Sequence, residues 1–346
     1  MIIDADGSPR EMGRAHGEQA RELIATGLER WRDELAKTDK DADQLWKGLS
    51  RESGFRDASA RWAPALLEEI EGIAEGANAD PDAIFATNCL DEAWWWGEKG
   101  SGCSAVAIAD RGGKTLIGQN MDLDTWMDTS QVALRLRPDD GPDQVLLSRA
   151  GVVGLCGANA EGIGLVVNTL DQLPVALDGV PVALVLRLLI GQTSLDAVEP
   201  LLRSIRHASG QAYTMASADG VIGFEAGGDF VASYANGVDR SGARWHTNHP
   251  LSDGDHQVTF DPEDWATGSS MPRLSRVDDA MSELGTADDL VELLSDSDAG
   301  ICMYPGRWRD DGFTFGSLVI EIDEPPSVRM TAGPPDRNPW VDVPFV

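Results

Sequence analysis

Positive charge is scarce in this chain: 28 Lys and Arg stand against 58 Asp and Glu, a formal net charge of -30 over 346 residues. Such a surface repels phosphate backbones and anionic lipid, which argues against nucleic acid and membrane surfaces as partners. The acidity runs along the whole chain, and Arg far outnumbers Lys. A cationic substrate would call for a local acidic cluster, so the pattern reads instead as an adaptation to a high-salt cytoplasm, where counterions screen self-repulsion. Cysteine is scarcer still. Cys89, Cys103, Cys156 and Cys302 are far apart and form no CxxC pair, which excludes a disulfide framework and a zinc finger. Long apolar runs are missing too, and the opening "MIIDADGSPREMG" has neither a basic region nor an apolar core. Neither a membrane span nor a secretory leader is expected, and the expected location is the cytoplasm. No glycine fingerprint for phosphate follows a strand, since "GVVGLCG" lacks both the spacing and the helix, and no cofactor is expected.

What the chain does have is apolar content, at 42%, enough for one sizeable core. The first hundred residues read mostly as helix. Ala15, Leu23, Ile24, Leu28, Trp31 and Leu35 recur near helical spacing, as do Leu66, Leu67, Ile70 and Ile73. Asp80 followed by Pro81 is a helix start, a cap and then a first-turn proline. From Cys103 the period changes to short strand-like runs: "CSAVAIA", "TLIGQ", "QVALRLR", "QVLLSRA" and "GIGLVVNTL". Helices are expected in "VPVALVLRLLIGQ" and in "SLDAVEPLLRSI", capped by Ser194, then strands in "AYTMASADGVIGFEAGG" and "FVASYANG". Helices return in "PRLSRVDDAMSELG" and "TADDLVELLSD", and the strands "FTFGSLVIEID" and "SVRMTAG" close the chain. This order predicts an α+β layered sandwich, antiparallel sheets with helices outside them. Trp94, Trp95 and Trp96 stand just before a glycine-rich stretch and read either as core residues or as the lip of a substrate pocket.

Cys103 follows Gly102 at the head of a strand-like run. A buried structural thiol is one reading. The other is chemical: the sulfur can attack the Gly102 carbonyl in an N-to-S acyl shift, because glycine leaves that carbonyl open. Hydrolysis of the ester then frees the α-amine of Cys103. With a reference pKa of about 7.7 to 8.0, that amine can serve as base for its own thiol, at about 8.5.

The stretch "GCSAVAIADRGGKTLIGQNMD", with "EMGRAHGEQAREL", "EGIGLVVNTL", "GVPVALVLRLLI" leading to "SLDAV", "HTNH" and "SSMPRLSR", resembles the acyl-coenzyme A:6-aminopenicillanate acyltransferase family. That family is the C45 peptidase-like branch of the N-terminal nucleophile (Ntn) hydrolases. The blocks run in the family's order over nearly the whole chain. The resemblance implies a four-layer αββα sandwich of two antiparallel sheets in one domain, 1–346. It also implies self-cleavage after Gly102 into a mainly helical fragment, 1–102, and a large fragment, 103–346, that stay together as a heterodimer. Residue by residue, Cys103 matches the nucleophile and Asp122 the acid that orients its amine and thiol. Asn248 matches an oxyanion-hole donor, and Arg273 an arginine whose charge lowers the thiol pKa. Asn168 is similar to a polar site residue of related amidases. Gln119 stands where the related bile-salt hydrolases carry arginine, which points away from bile-salt chemistry. Read alone, Asp122 also fits a turn aspartate, and Arg276 fits surface pairing.

The expected function is therefore acyl transfer or amide hydrolysis on a small acyl donor, with an amine or water as acceptor. An unprocessed enzyme using His246 or His249 as base for Cys103, and a non-catalytic binding protein on the same scaffold, are the alternatives. The HxxH spacing of those histidines marks no third metal ligand, so no metal is expected. His16 and His207 read as helix-surface or packing residues, and Cys89, Cys156 and Cys302 as core thiols.

Overall fold

The computed structural model describes residues 1–89, 91–93, 102–111, 114–235, 242–252, 265–307 and 309–346. Trp94, Trp95 and Trp96 lie outside the described residues, so the two readings of that triplet are not compared with structure.

Fourteen strands are described: β1 (Ile2–Gly7), β2 (Gly102–Arg111), β3 (Lys114–Asp124), β4 (Gln131–Pro138), β5 (Gln144–Arg149), β6 (Cys156–Asn159) and β7 (Gly164–Thr169) in the first half. The second half adds β8 (His207–Ser217), β9 (Gly220–Gly228), β10 (Phe230–Ser233), β11 (Ala243–His246), β12 (Gly312–Ile322), β13 (Ser327–Ala332) and β14 (Val341–Asp342). They form an eight-stranded sheet, β1-β4-β5-β6-β7-β8-β9-β10, and a six-stranded sheet, β11-β2-β3-β12-β13-β14. The sheets face each other through β2 and β3 against β7 and β8, and β12 against β5 and β6. Helices cover both outer faces: Val182–Ile190 lies on β6, β7 and β8, while Trp265–Ala280 and Ala287–Leu294 lie on β2, β3 and β12. This is the expected α+β sandwich of four layers.

Alternation along β2 shows why the sequence folds this way. Cys103, Ala105 and Ala107 belong to the core cluster that includes the inter-sheet residues Leu147, Val166 and Phe315. Val106 and Ile108, one residue out of step, pack with Val277, Leu290 and Leu294 under the outer helices. Both faces of the strand are buried, which fixes its register, since a one-residue slip would exchange the two sets.

Three local expectations change. The sheets are antiparallel except for β1, which pairs with β4 in parallel, Ile3 opposite Leu134 and Ala5 opposite Leu136. Parallel neighbours need a long crossover, and the chain between them provides one. The region capped by Ser194 is a 3-10 turn, Leu195–Ala197, followed by a short helix, Val198–Ser204. The helix expected to start at Pro272 begins at Trp265 instead, with Pro272 inside it. Elsewhere the cap signals hold: the Asp80 side chain accepts from Asp82 N, and Pro81 opens the helix Pro81–Thr87.

In the amino-terminal region, helix Pro9–Gln19 crosses helix Pro64–Ala77 with backbone against backbone. A Cβ at Gly13 would stand 1.9 Å from the Glu69 carbonyl oxygen, and one at Gly76 would stand 2.1 Å from that of Arg14. Gly17 and Gly72 meet the Ile73 and Arg10 carbonyls in the same way. Glu69, 2% exposed, then pairs with Arg187 at 2.8 Å, tying this helix pair to Val182–Ile190.

Candidate active site

Cys103 is the second residue of β2 and is 4% exposed. The peptide groups around it are held by side chains from distant parts of the chain. Its N–H donates to Asn248 Oδ1 at 2.8 Å, and its carbonyl oxygen accepts from Arg273 Nη1 at 2.6 Å. The second Arg273 amine, Nη2, reaches the same Asn248 Oδ1 at 2.9 Å. Asn248, Arg273 and Cys103 therefore form one closed hydrogen-bonded group.

Arg273 is fully buried and is further held by donating from Nε to Ser269 Oγ and from Nη1 to Ser104 Oγ. It lies beside Cys103, with Nη1 on the Cys103 carbonyl. Asn248 has its amide nitrogen on the Thr169 carbonyl at 3.0 Å, so its oxygen is the atom presented to Cys103. One Nδ2 hydrogen serves Thr169, and the amide carries a second.

Asp122 comes from β3, where it lies opposite Gly102. Its Oδ1 accepts from Thr314 Oγ1 at 2.6 Å, and its Oδ2 is buried without a hydrogen-bond partner among the described residues. Burial pushes this carboxyl up to about 7, against the opposing charge of Arg273 and the bond from Thr314. The Cys103 thiol is pushed up to about 12, by burial first and then by the Asp122 charge. The Arg273 charge acts to lower it, but burial and Asp122 outweigh that charge. Near neutral pH Cys103 is therefore a thiol and not a thiolate.

Asn168, on β7, is fully buried; its Nδ2 donates to the His246 carbonyl at 3.3 Å, and its Oδ1 has no hydrogen-bond partner among the described residues. The structure brings it to the base of the Asn248 loop, without a direct bond to Cys103. The histidines are committed elsewhere. His246 faces Glu225 Oε1 through Nε2 and the Thr247 carbonyl through Nδ1, both at 2.8 Å, so neither ring nitrogen is left for Cys103. His249 Nδ1 meets Ser270 Oγ at 2.6 Å, and burial pushes its ring down to about 4. His16, 1% exposed, accepts from Gly151 N, and His207, also buried, meets the Leu202 carbonyl. Arg276 pairs with Asp296 at 2.8 Å on the partly exposed side of its helix. Cys89, Cys156 and Cys302 are free, buried thiols.

Sequence reasoning missed the hydroxyls that hold these groups, Thr314 on Asp122 and Ser270 on the Asn248 N–H, because hydroxyl partners carry no spacing signal. It also missed Asp91. This carboxylate accepts from Thr169 Oγ1 and Gln211 Nε2, both at 2.8 Å, and its charge raises the Cys103 thiol further. Its neighbour Glu92 accepts from Ser209 Oγ and Val182 N and is pushed up to about 8, by burial first and then by Asp91.

No group of three or more His, Cys, Asp or Glu side chains among the described residues is arranged to hold a metal ion. No helix among them is long and apolar enough to cross a membrane.

Comparison with known proteins agrees with the resemblance. The chain is 26% identical over 345 residues to the acyl-coenzyme A:6-aminopenicillanic-acid-acyltransferase 40 kDa form of Emericella nidulans, covering 95% of this chain and 92% of that one. Among solved structures, the penicillin V acylase of Agrobacterium tumefaciens matches at 11% identity and a TM-score of 0.44, over 70% of this chain and 86% of that one. A variant of the conjugated bile acid hydrolase of Clostridium perfringens matches at 11% identity and a TM-score of 0.42, over 70% and 97%. Residues 109–331 match the family described as acyl-coenzyme A:6-aminopenicillanic acid acyl-transferase, and the chain belongs to that family.

Proposed function

We propose that the protein is a self-cleaving acyltransferase or amidase whose nucleophile is Cys103, freed as an amino-terminal residue by scission of the Gly102–Cys103 bond. The observation that carries this reading is the grip on both peptide groups of Cys103, from Asn248 on one side and Arg273 on the other. Any buried peptide group needs a partner; here an asparagine and a fully buried arginine from distant parts of the chain supply it, and a backbone so held suits a sulfur that must meet the preceding carbonyl.

In the first step Cys103 Sγ attacks the Gly102 carbonyl carbon and its proton passes to Asp122, whose Oδ2, unpartnered among the described residues, and raised pKa suit it as acceptor. The C–N bond then breaks, the nitrogen takes a proton back, and a thioester joins Gly102 to Sγ. Water hydrolyses that ester, leaving a Gly102 carboxylate and a free Cys103 amine and thiol. In turnover the amine takes the thiol proton, the thiolate attacks an acyl donor, and an acyl-enzyme forms as the leaving group departs with a proton. An amine or water then takes the acyl group. Asn248 Oδ1, which receives the Cys103 N–H, continues to receive the amine and orients it, and its remaining Nδ2 hydrogen faces the developing oxyanion. The substrate class follows the family: a small N-acyl compound or acyl thioester. The fragments 1–102 and 103–346 remain paired, since β1 and Asp91 of the first are built into the sheet and site of the second.

The occupied nitrogens of His246 disfavour the reading in which that histidine serves an uncut Cys103. The test is the intact mass of the denatured protein and of Cys103→Ala. Two fragments meeting at residues 102 and 103 in the parent, and one full-length chain in the variant, are the expected result. A single uncut parent chain, at low and at molar salt, would overturn the processing step.

A further inference from the structure

Asn248 lies in a short segment after β11 that has no secondary structure of its own to fix it. Its position depends on what holds the two ends of that segment. One side chain holds both. Glu225, in β9 of the eight-stranded sheet, accepts from His246 Nε2 at 2.8 Å and Leu251 N at 2.5 Å through Oε1. Through Oε2 it accepts from Ser252 N at 3.1 Å and Ser252 Oγ at 2.5 Å. His246 ends β11 of the other sheet, so this carboxylate spans the sandwich and brackets Asn248 from before and behind.

A fully buried carboxylate is rare unless its acceptor sites are filled, and four donors fill the four sites of this one. Burial alone would push the Glu225 carboxyl up; the bonds from His246, Ser252 and Leu251 outweigh burial and hold it below the usual carboxylate range. On the opposite flank Ser270 Oγ accepts from Asn248 N at 2.6 Å. The segment is thus pinned by the sheet on one side and by the helix on the other.

We infer that Glu225 is a positioning residue that sets the Asn248 amide against Cys103 by anchoring both ends of the segment 246–252. The inference rests on the reading above, in which Asn248 serves the Cys103 chemistry. An amide at this position cannot replace the carboxylate, because its nitrogen would face the Ser252 N–H, donor against donor.

The experiment compares Glu225→Gln, which keeps the volume, with the parent. Amide hydrogen exchange over 247–252 is measured in the uncut Cys103→Ala background, and processing and turnover in the Cys103 chain, with Asn248→Ala and the double variant as controls. Exchange in that segment should rise about tenfold or more in Glu225→Gln while the other peptides stay protected. Processing and kcat should fall about tenfold with KM held within about twofold, and the loss should vanish in the Asn248→Ala background. Unchanged exchange overturns the anchor. Raised exchange with parental processing and turnover, while Asn248→Ala is inactive, overturns the positioning role and leaves the proposed chemistry standing. Parental activity in Asn248→Ala removes Asn248 from the chemistry, and both readings fall together.

Discussion

Gly102 lies directly opposite Asp122 on β2 and β3, so the residue whose carbonyl precedes the thiol shares one rung of the sheet with a carboxylate that has a buried oxygen unpartnered among the described residues. A main-chain pairing sets this relationship, and it does not depend on a flexible side chain reaching across a cleft.

Asp122→Asn tests what that carboxylate does. As proton acceptor for the thiol, Asp122 should be worth about a hundredfold or more in processing rate. The same variant has a signature in stability. Asp122 titrates at about 7 in the fold against an unfolded value of about 3.9, so the fold favours its protonated form. That contribution is fully present below about pH 4 and is lost as the pH rises through about 7. An amide cannot ionise and does not lose it. In the uncut Cys103→Ala background, urea midpoints with and without Asp122→Asn should converge at about pH 4 and separate in favour of the amide variant as the pH approaches about 8. A gap independent of pH would remove the titration argument.

Glu92 should behave as a neutral acid. Its carboxyl is pushed up to about 8, its Oε1 accepts two bonds, and its Oε2 has no hydrogen-bond partner among the described residues. Glutamine keeps the accepting oxygen and carries no charge. The contribution of the protonated group is complete below about pH 4.3 and fades as the pH rises through about 8. Melting temperatures of Glu92→Gln and parent should therefore agree within about 2 °C at about pH 6, and the variant should lead by several degrees at about pH 9.5. A variant that melts well below the parent in the acidic buffer would show that Glu92 is ionised in the fold.

The glycine contacts between the helices Pro9–Gln19 and Pro64–Ala77 make a prediction of opposite character. Gly76→Ala would gain helix propensity of about 1 kcal/mol in an isolated peptide. Here the new methyl meets the Arg14 backbone at 2.1 Å, and a backbone cannot swing aside as a side chain does. A net loss of about 2 kcal/mol or more is expected, read as a lower urea midpoint. A stabilised variant would mean that the helices separate without cost.

Much of the fold was legible because burial on both faces of strands such as β2 and β7 leaves short apolar runs that end at Asp or Asn. β1 was not, since only Ile3 and Ala5 of its six residues are buried and the rest read as a polar opening. The convergence of Cys103, Asp122, Asn248 and Arg273 could be expected from the family's motifs; no spacing rule would join residues 145 and 170 positions apart. Glu225 was overlooked although it left a signal: an acid inside "GFEAGG", where every neighbour from Gly223 to Gly228 is buried. A charge in such a run has to be answered by donors from elsewhere, and the donors it finds here belong to the Asn248 segment.

The parallel pairing of β1 with β4 has a kinetic consequence if the chain is cut at Gly102. Before the cut, every contact between the first hundred residues and the rest forms within one molecule, and refolding is a first-order process independent of dilution. After the cut, the same strand and helices must be recaptured from solution by a second polypeptide. Recovery from urea then becomes second order, slowing in proportion to dilution, and the processed protein holds its shape by a barrier that the uncut chain could cross in both directions.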